Sequence, residues 1–486
     1  MAAAKAKAKA KATAKKPKGA AADLLAQILA APDDVELRLV YADALIEAGD
    51  PRGTFIAHQC ALSKLDLLDE RYPELLASTA RLEAAHGDTW CGGSRAALQA
   101  VFEDGFLHRV ALTPDRIAKE WPILRRHEPI HGMELLVGED LPSSYRALAE
   151  PKDLTSLKVT PDRWFTASSV GNVLAWGMPR LRDLDLSRCD LGPTGASLLA
   201  NEPTDLAEHF EGYVDPPPFA EGQLERLILT TCNVHDAGAR ILFAAKNLAA
   251  LVELDLAQNR LADNATLEAL RAMTNLRRLA LSGNNSLSLG ALAGWDVLAK
   301  LEQLAVPQSI TSDALGALFP KPSPALRELD LRSAKSLATT PDTIASAAVS
   351  FTSLDLGGTS LGDAGWQALV TAPSLRSVMH LLANGCSLSD AAVAALVRSK
   401  LGRLVTLDLS SNKLTDASLE ALAGWPGLAH VVHLRIGNNK KLTAAGYQAL
   451  IDARPFQPAV LDVGKSPKPI VDRLRERYGD VVLAKA

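Results

Sequence analysis

One spacing of apolar residues decides what this chain can fold into. In LVTLDLSSNKLTDASLEALAG the skeleton is Leu404, Leu407, Leu409, Asn412 and Leu414. The same skeleton recurs in LVELDLAQNRL from Leu251, LRDLDLSRCDL from Leu181, LERLILTTCNV from Leu224 and FTSLDLGGTSL from Phe351. Looser copies begin at Leu154, Leu276, Leu301, Leu326, Val378 and Val431. Successive copies start 27, 43, 27, 25, 25, 25, 25, 27, 26 and 27 residues apart. Two weaker copies, around Leu107 and Ile130, precede them. In the LxL core, alternate side chains point to one side, as a strand requires. Parallel strands need a crossover to bring the chain back. The second half of each unit (LGDAGWQALV, LSDAAVAALV) supplies it, with apolar residues at helical spacing and an Asp expected to cap the helix start. Self-similarity at this period is the mark of a solenoid, in which each unit buries its apolar face against its neighbours.

The pattern resembles the leucine-rich repeat, LxxLxLxxN/CxL, over most of the chain. The unit of 25–27 residues with a helical return is similar to the ribonuclease-inhibitor subtype. That resemblance implies an α/β fold, a horseshoe-shaped solenoid with parallel inner strands and outer helices. The N/C position holds Asn259, Asn284, Asn412 and Asn439, or Cys189, Cys232 and Cys386. A polar side chain there is expected to satisfy backbone groups in the turn after the strand. Three of the five cysteines are thereby structural; the odd count and the lack of a CxxC pair argue against a disulfide framework or a zinc ribbon. The units from Leu301 and Leu326 fit poorly past the strand, and irregular turns are expected there.

The flanks differ from the repeats. Residues 1–18 carry seven lysines and no acid; without them 45 basic and 56 acidic residues remain, so the body is near −11. Such a body disfavours a broad nucleic-acid face. The lysine-rich segment lacks the 7–15 apolar residues of a secretory signal, and no stretch approaches the ~18–20 apolar residues of a membrane span. We therefore expect a cytoplasmic protein. Residues 21–65 show helical periodicity, with Asp33 or Asp34 beginning a second helix and Gly49 ending it. The stretches PDD, RLVYADAL, GDPRG and FIAHQ resemble the repeat-companion domain, a short bacterial module that precedes leucine-rich repeats. The family usually has Trp where this chain has Ala44 and Glu where it has Thr54. The resemblance implies architecture and no activity. PIVDRLRERYGDVVL reads as a closing helix and strand. The expected domains are a disordered Lys/Ala-rich tail (1–20), a helical companion domain (21–105), the solenoid (106–452) and a C-terminal cap (453–486).

Candidate sites follow from the repeat. Residues flanking the central strand leucine project to the inner face. One column holds Asp185, Asp255, Asp330, Asp355 and Asp408; its neighbour holds Arg226, Glu253, Arg278, Glu328, His380 and His433. A dozen strands about 4.8 Å apart make a charged wall of roughly 60 Å, which suits a protein partner better than a small metabolite. The competing view is that Asp in LDL is ordinary repeat grammar that solvates the face. A second candidate is the insertion NEPTDLAEHFEGYVDPPPFAEGQ, where acids surround Phe210, Tyr213 and Phe219; the competing view is a tolerated surface loop. The lysine-rich tail is a third, reaching nucleic acid or an anionic surface by charge alone, or simply solubilising the chain. Gly358–Gly362 matches G-x-S-x-G, but Leu361 is the repeat's own skeleton leucine. His430 and His433 lack a third ligand, and Trp176, Trp295 and Trp425 read as packing anchors. No catalytic residue, cofactor or metal is expected. The reading is a scaffold that holds a protein partner on the concave face. The alternatives are a GTPase-activating regulator, by fold analogy alone, and nucleic-acid association through the tail.

Overall fold

A computed structural model describes residues 19–32, 34–92, 95–138, 153–163, 165–209, 219–318, 325–334, 340–346, 349–454 and 456–484. The chain divides into two compact units, Met1–Leu136 and Val137–Ala486.

The first unit opens with helices α1 (Ala20–Ala30), α2 (Val35–Glu47), α3 (Pro51–Lys64) and α4 (Tyr72–Trp90). Asp34 caps α2 by accepting the N–H groups of Glu36 and Leu37, and Gly49, at φ 72°, follows its end. Asp50 caps α3 at the Arg52 N–H, with Pro51 in the first turn, where a missing N–H costs nothing. Ile28, Tyr41, Ala42, Leu45, Ile56, Cys60 and Phe106 form one core. Strands β1 (Val101–Glu103) and β2 (Phe106–Leu112) make an antiparallel hairpin that turns at Asp104 and Gly105, both at positive φ. A Cβ on Gly105 would lie 2.2 Å from Ile56, so the turn sits hard against α3. One ion pair locks the arrangement. The Arg52 guanidinium donates to both Glu128 carboxylate oxygens, at 2.7 and 2.8 Å, and lies over the Phe106 ring. Glu128 also accepts the Leu107 N–H at 3.0 Å. β2 pairs in parallel with β3 (Gly132–Val137), from Arg109↔Gly132 to Leu112↔Leu135, so both weak copies of the repeat form strands.

The second unit is a parallel solenoid. Its strands are β4 (Ser156–Pro161), β5 (Asp183–Asp185), β6 (Arg226–Ile228), β7 (Glu253–Asp255), β8 (Arg278–Ala280), β9 (Gln303–Ala305), β10 (Glu328–Asp330), β11 (Ser353–Asp355), β12 (His380–Leu382), β13 (Thr406–Asp408), β14 (His433–Arg435), β15 (Val460–Gly464) and β16 (Val482–Ala484). Each pairs in parallel with the next. The register never slips at the central leucines: Leu184, Leu227, Leu254, Leu279, Leu304, Leu329, Leu354, Leu381, Leu407, Leu434 and Leu461 lie side by side. All are buried, as are the starting residues Leu181 to Val431. Each such side chain contributes about 1.5–3 kcal/mol on burial, and a one-residue slip would turn every one of them outward.

The return segments are mostly helical, for example His235–Ala244, Gly362–Val370, Asp390–Arg398 and Asp416–Ala423. The aspartates of these segments act differently from the sequence expectation. Asp363, Asp390 and Asp416 lie inside the first helical turn, and Ser389 and Thr443 are caps. Each aspartate reaches the next unit's cap. Asp363 accepts the Ser389 N–H and hydroxyl at 2.8 and 2.5 Å. Asp390 accepts the Thr415 N–H and hydroxyl at 2.9 and 2.7 Å, and the Ser418 hydroxyl. Asp416 accepts those of Thr443 at 2.7 and 2.5 Å. A residue expected to cap its own helix therefore staples two units together. After β8 the return consists of two 3₁₀ turns, Leu289–Leu292 and Asp296–Ala299. The irregular return thus falls in the unit from Leu276, whereas the units from Leu301 and Leu326, where irregular turns were expected, carry the helices Ser312–Leu318 and Thr340–Ser346.

The turn after each strand has its own rule. The second residue past the skeleton position is left-handed in Arg188, Thr231, Gln258, Gly283, Ser333, Gly358, Gly385, Ser411 and Asn438. The next residue is the N/C position, and its side chain serves the preceding unit. Asn259 Oδ1 accepts the N–H groups of Cys232 and Val234 at 3.0 and 3.1 Å. Asn284 does the same for Asn259 and Leu261, and Asn439 for Asn412 and Leu414. Their amide N–H groups donate to carbonyls, as from Asn259 to Leu229 at 2.7 Å. The Cys232 and Cys386 thiols donate likewise to the Leu186 and Leu356 carbonyls. The expectation for these residues is met. Helix Lys468–Tyr478 and strand β16, parallel to β15, occupy the stretch read as a closing element.

Candidate functional site

The strand face of the second unit is the candidate. The register places the two sequence columns as expected. Before the central leucine run Asp183, Arg226, Glu253, Arg278, Gln303, Glu328, Ser353, His380, Thr406 and His433. After it run Asp185, Ile228, Asp255, Ala280, Ala305, Asp330, Asp355, Leu382, Asp408 and Arg435.

The leading column is an ion-pair ladder followed by a neutral stretch. Glu253 is shared by Arg226, at 2.9 Å, and Arg278, at 3.3 Å; Arg278 also reaches Glu302 at 3.9 Å. Pairs this exposed contribute ~0–1 kcal/mol each, so they set charge pattern more than stability. Burial pushes the Glu328 carboxyl above the usual range, opposed by the charge of Arg278 and helped by those of Glu253 and Glu302. Further on, His380 Nδ1 lies 3.0 Å from Thr406 Oγ1, which lies 3.4 Å from His433 Nδ1. Burial pulls His380 down to about 4, with His433 adding to it, and pulls His433 down as well. Both imidazoles are therefore neutral near pH 7.

The trailing aspartates have a backbone duty that the sequence columns do not announce. In each, Oδ1 accepts the N–H two residues on: Ser187 for Asp185, Ala257 for Asp255, Arg332 for Asp330, Gly357 for Asp355 and Ser410 for Asp408, all at 2.7–3.0 Å. In Asp330, Asp355 and Asp408 the second oxygen meets a base. Arg332 bridges Asp330 and Asp355 at 2.6 and 3.2 Å, and Arg435 stands 3.9 Å from Asp408. Burial pushes Asp355 up to about 6, helped by the charges of Asp330 and Asp408; burial also raises Asp255. Glu302, Arg332, Thr406 and Arg435 were absent from the sequence candidates. Thr406 and Arg435 occupy the two columns and were findable by position alone; Glu302 and Arg332 lie just outside them.

Of the insertion candidates, Phe210 and Tyr213 lie outside the described residues, as does the lysine-rich segment 1–18. Phe219 is half-buried, and its main chain pairs with the Asn201 amide: Asn201 Nδ2 donates to the Phe219 carbonyl at 2.8 Å and the Phe219 N–H donates back at 3.0 Å. Gly358 supplies the left-handed turn residue of its unit, which accounts for the G-x-S-x-G match as repeat grammar. Trp295 and Trp425 are buried. Among the described residues no group of three His, Cys, Asp or Glu side chains is placed to hold a metal ion, and no helix is long and apolar enough to cross a membrane.

With register, turn and ladder established, comparison with known proteins is direct. The sequence model described as Leucine Rich repeat matches residues 178–200 and 404–423, two of the units defined above. The chain carries leucine-rich repeats. No curated protein matches it in sequence. Among solved structures, this leucine-rich-repeat chain is similar to one in the complex of Rad7 and Elc1 from yeast, at 18% identity and a TM-score of 0.42, covering 62% of this chain and 79% of that one. It is also similar to an internalin from Listeria monocytogenes, at 16% identity and a TM-score of 0.37, covering 80% and 92%.

Proposed function

We propose that the protein is a non-catalytic scaffold that holds a protein partner on the strand face of its repeats. The observation that supports this reading is the pair of in-register polar columns on one parallel sheet. From β5 to β15 they extend roughly 50 Å, a length suited to a protein surface, and Arg278, Glu302, Arg332 and Arg435 remain 41–61% exposed along them. In the two columns from β5 to β14, Asp183, Asp185, Glu253, Asp255, Glu328, Asp330, Asp355 and Asp408 face three bases, Arg226, Arg278 and Arg435. The surplus of acid favours a partner that presents Lys and Arg, and long-range attraction would speed its approach. Residues 21–105 are assigned to a companion domain on their sequence alone.

The test is crosslinked capture from native cells by three folded proteins. One is the intact chain. The second carries Glu253→Gln, Glu328→Gln, Asp355→Asn and Asp408→Asn. The asparagines keep the acceptor that each turn needs, so loss of binding reports the face and not the fold. The third carries Glu268→Gln and Glu420→Gln on return helices. A partner retained by the first and third chains and lost from the second, with capture weakening as salt rises, supports the reading. Equal capture by all three, or none by any, overturns it.

A further inference from the structure

Bonding between units is uneven along the solenoid. Asn259 and Asn284 tie the units on β6 to β8 together, and Asn412 and Asn439 tie those on β12 to β14. Between them the same position holds Ser309, Ala334 and Thr359. Ala334 has no polar side-chain atom to offer. The Ser309 hydroxyl donates to the Leu287 carbonyl at 3.3 Å and takes no N–H from the turn before it, where the Asn284 N–H falls back on its own unit, the Leu281 carbonyl, at 3.4 Å. Thr359 is engaged with the Cys386 thiol at 3.4 Å.

Three further observations fall on the same stretch. Gln308 stands where neighbouring units use a left-handed residue, and it is not left-handed. Its Oε1 and the Trp295 Nε1 are buried without a partner, which carries the desolvation cost of each group uncompensated. The return after β8 is made of 3₁₀ turns, whose hydrogen-bond geometry is poorer than that of a helix. Aspartate staples join the units of both flanking blocks: Asp236 accepts the N–H groups of Ala262 and Asp263 and the Thr266 hydroxyl, and Asp363, Asp390 and Asp416 act beyond β11. The strands themselves continue in register, Leu279 to Leu304 to Leu329 to Leu354.

We infer that the solenoid consists of two stiff blocks, β6–β8 and β12–β14, joined across β9–β11 by a compliant seam at which the strand face bends. The sheet holds the blocks in register while the missing amides leave the turn side free to open and close. In a one-dimensional array, where stability is a sum of unit and neighbour terms, a weak neighbour term marks the place where motion concentrates. The two parts of the polar wall then sit on different blocks: Arg226, Glu253 and Arg278 on one, His380, Thr406 and His433 on the other. Asp330, Asp355 and Arg332 lie over the seam.

Amide hydrogen exchange on the full chain, read by mass spectrometry, tests this without any ligand. Peptides covering β9–β11 and their turns are expected to exchange at least about tenfold faster than those covering β6–β7 or β12–β14. The double variant Ser309→Asn/Ala334→Asn, which restores an amide at both gaps, is expected to slow that exchange. Uniform protection across β6–β14 in the natural chain overturns the seam whether or not the variant folds. A folded double variant with unchanged exchange overturns its assignment to the missing amides.

Discussion

The two units are held together in opposite ways. The helical unit relies on contacts that occur once: Arg52 on α3 meets Glu128, 76 residues on, against the Phe106 ring. The solenoid relies on contacts that recur: Asn to the turn before it, Asp to the cap after it, Leu beside Leu. Loss of a unique contact has no neighbour to absorb it. Loss of one rung leaves the other rungs intact. Sensitivity to a single substitution is therefore expected to differ between the units, even where similar numbers of hydrogen bonds are removed.

The sharpest test is Glu128→Ala. It leaves a buried guanidinium without its carboxylate and frees the Leu107 N–H, and it is expected to destabilise the first unit by about 3–5 kcal/mol. Hydrogen exchange of peptides from α1–α4 across a urea series would measure it; a loss under 1 kcal/mol would remove the contrast. Asn412→Ala comes next. It deletes the acceptor for the Leu388 N–H and the donor to the Ala383 carbonyl, an expected cost of about 2–3 kcal/mol confined to neighbouring units. Exchange that speeds up only around β12–β14 would sharpen the comparison, whereas loss of protection through the whole array would break it.

The third test uses pH. The folded pKa of His380, about 4, lies below its ordinary value of 6.5, so its stability contribution is complete above pH 6.5 and is lost as pH falls toward 4. The folded pKa of Asp355, about 6, lies above its ordinary value of 3.8. Its ionisation is therefore a penalty at neutral pH that is relieved as pH falls from about 6 toward 3.8. The two oppose each other in one window. Asp355→Asn is expected to steepen the loss of stability between pH 6.5 and 4, and His380→Gln to flatten it, each by an order of 1–2 kcal/mol. Thermal melts at half-unit steps would show it; parallel profiles for both variants and the natural chain would refute both assignments.

The contrast also explains what the sequence disclosed. Strand positions, both polar columns and the Asn/Cys position were legible because a two-residue alternation inside a 25–27-residue period fixes them without distant information. The left-handed turn position was half-visible: Gly283, Gly358 and Gly385 mark it, but Arg188, Thr231 and Gln258 occupy it too. The staples were misread because the Asp of one unit and the cap it serves, 25–27 residues later, look like local neighbours only after stacking. The Asp columns were seen as a wall, but each residue's i+2 turn bond was not, since it belongs to the repeat's backbone and not to its periodicity. The Arg52–Glu128 pair left no trace at all; nothing repeats at a spacing of 76.

The Asn201–Phe219 amide pair has a consequence for how such a protein can change. It joins two residues 18 positions apart, while β5 and β6 on either side keep the register Asp183↔Arg226. The array therefore keeps its register across an insertion at this point. The position behaves as a socket: peptides of other lengths and compositions can be grafted there, by evolution or by design, and the stack beneath will not register the exchange.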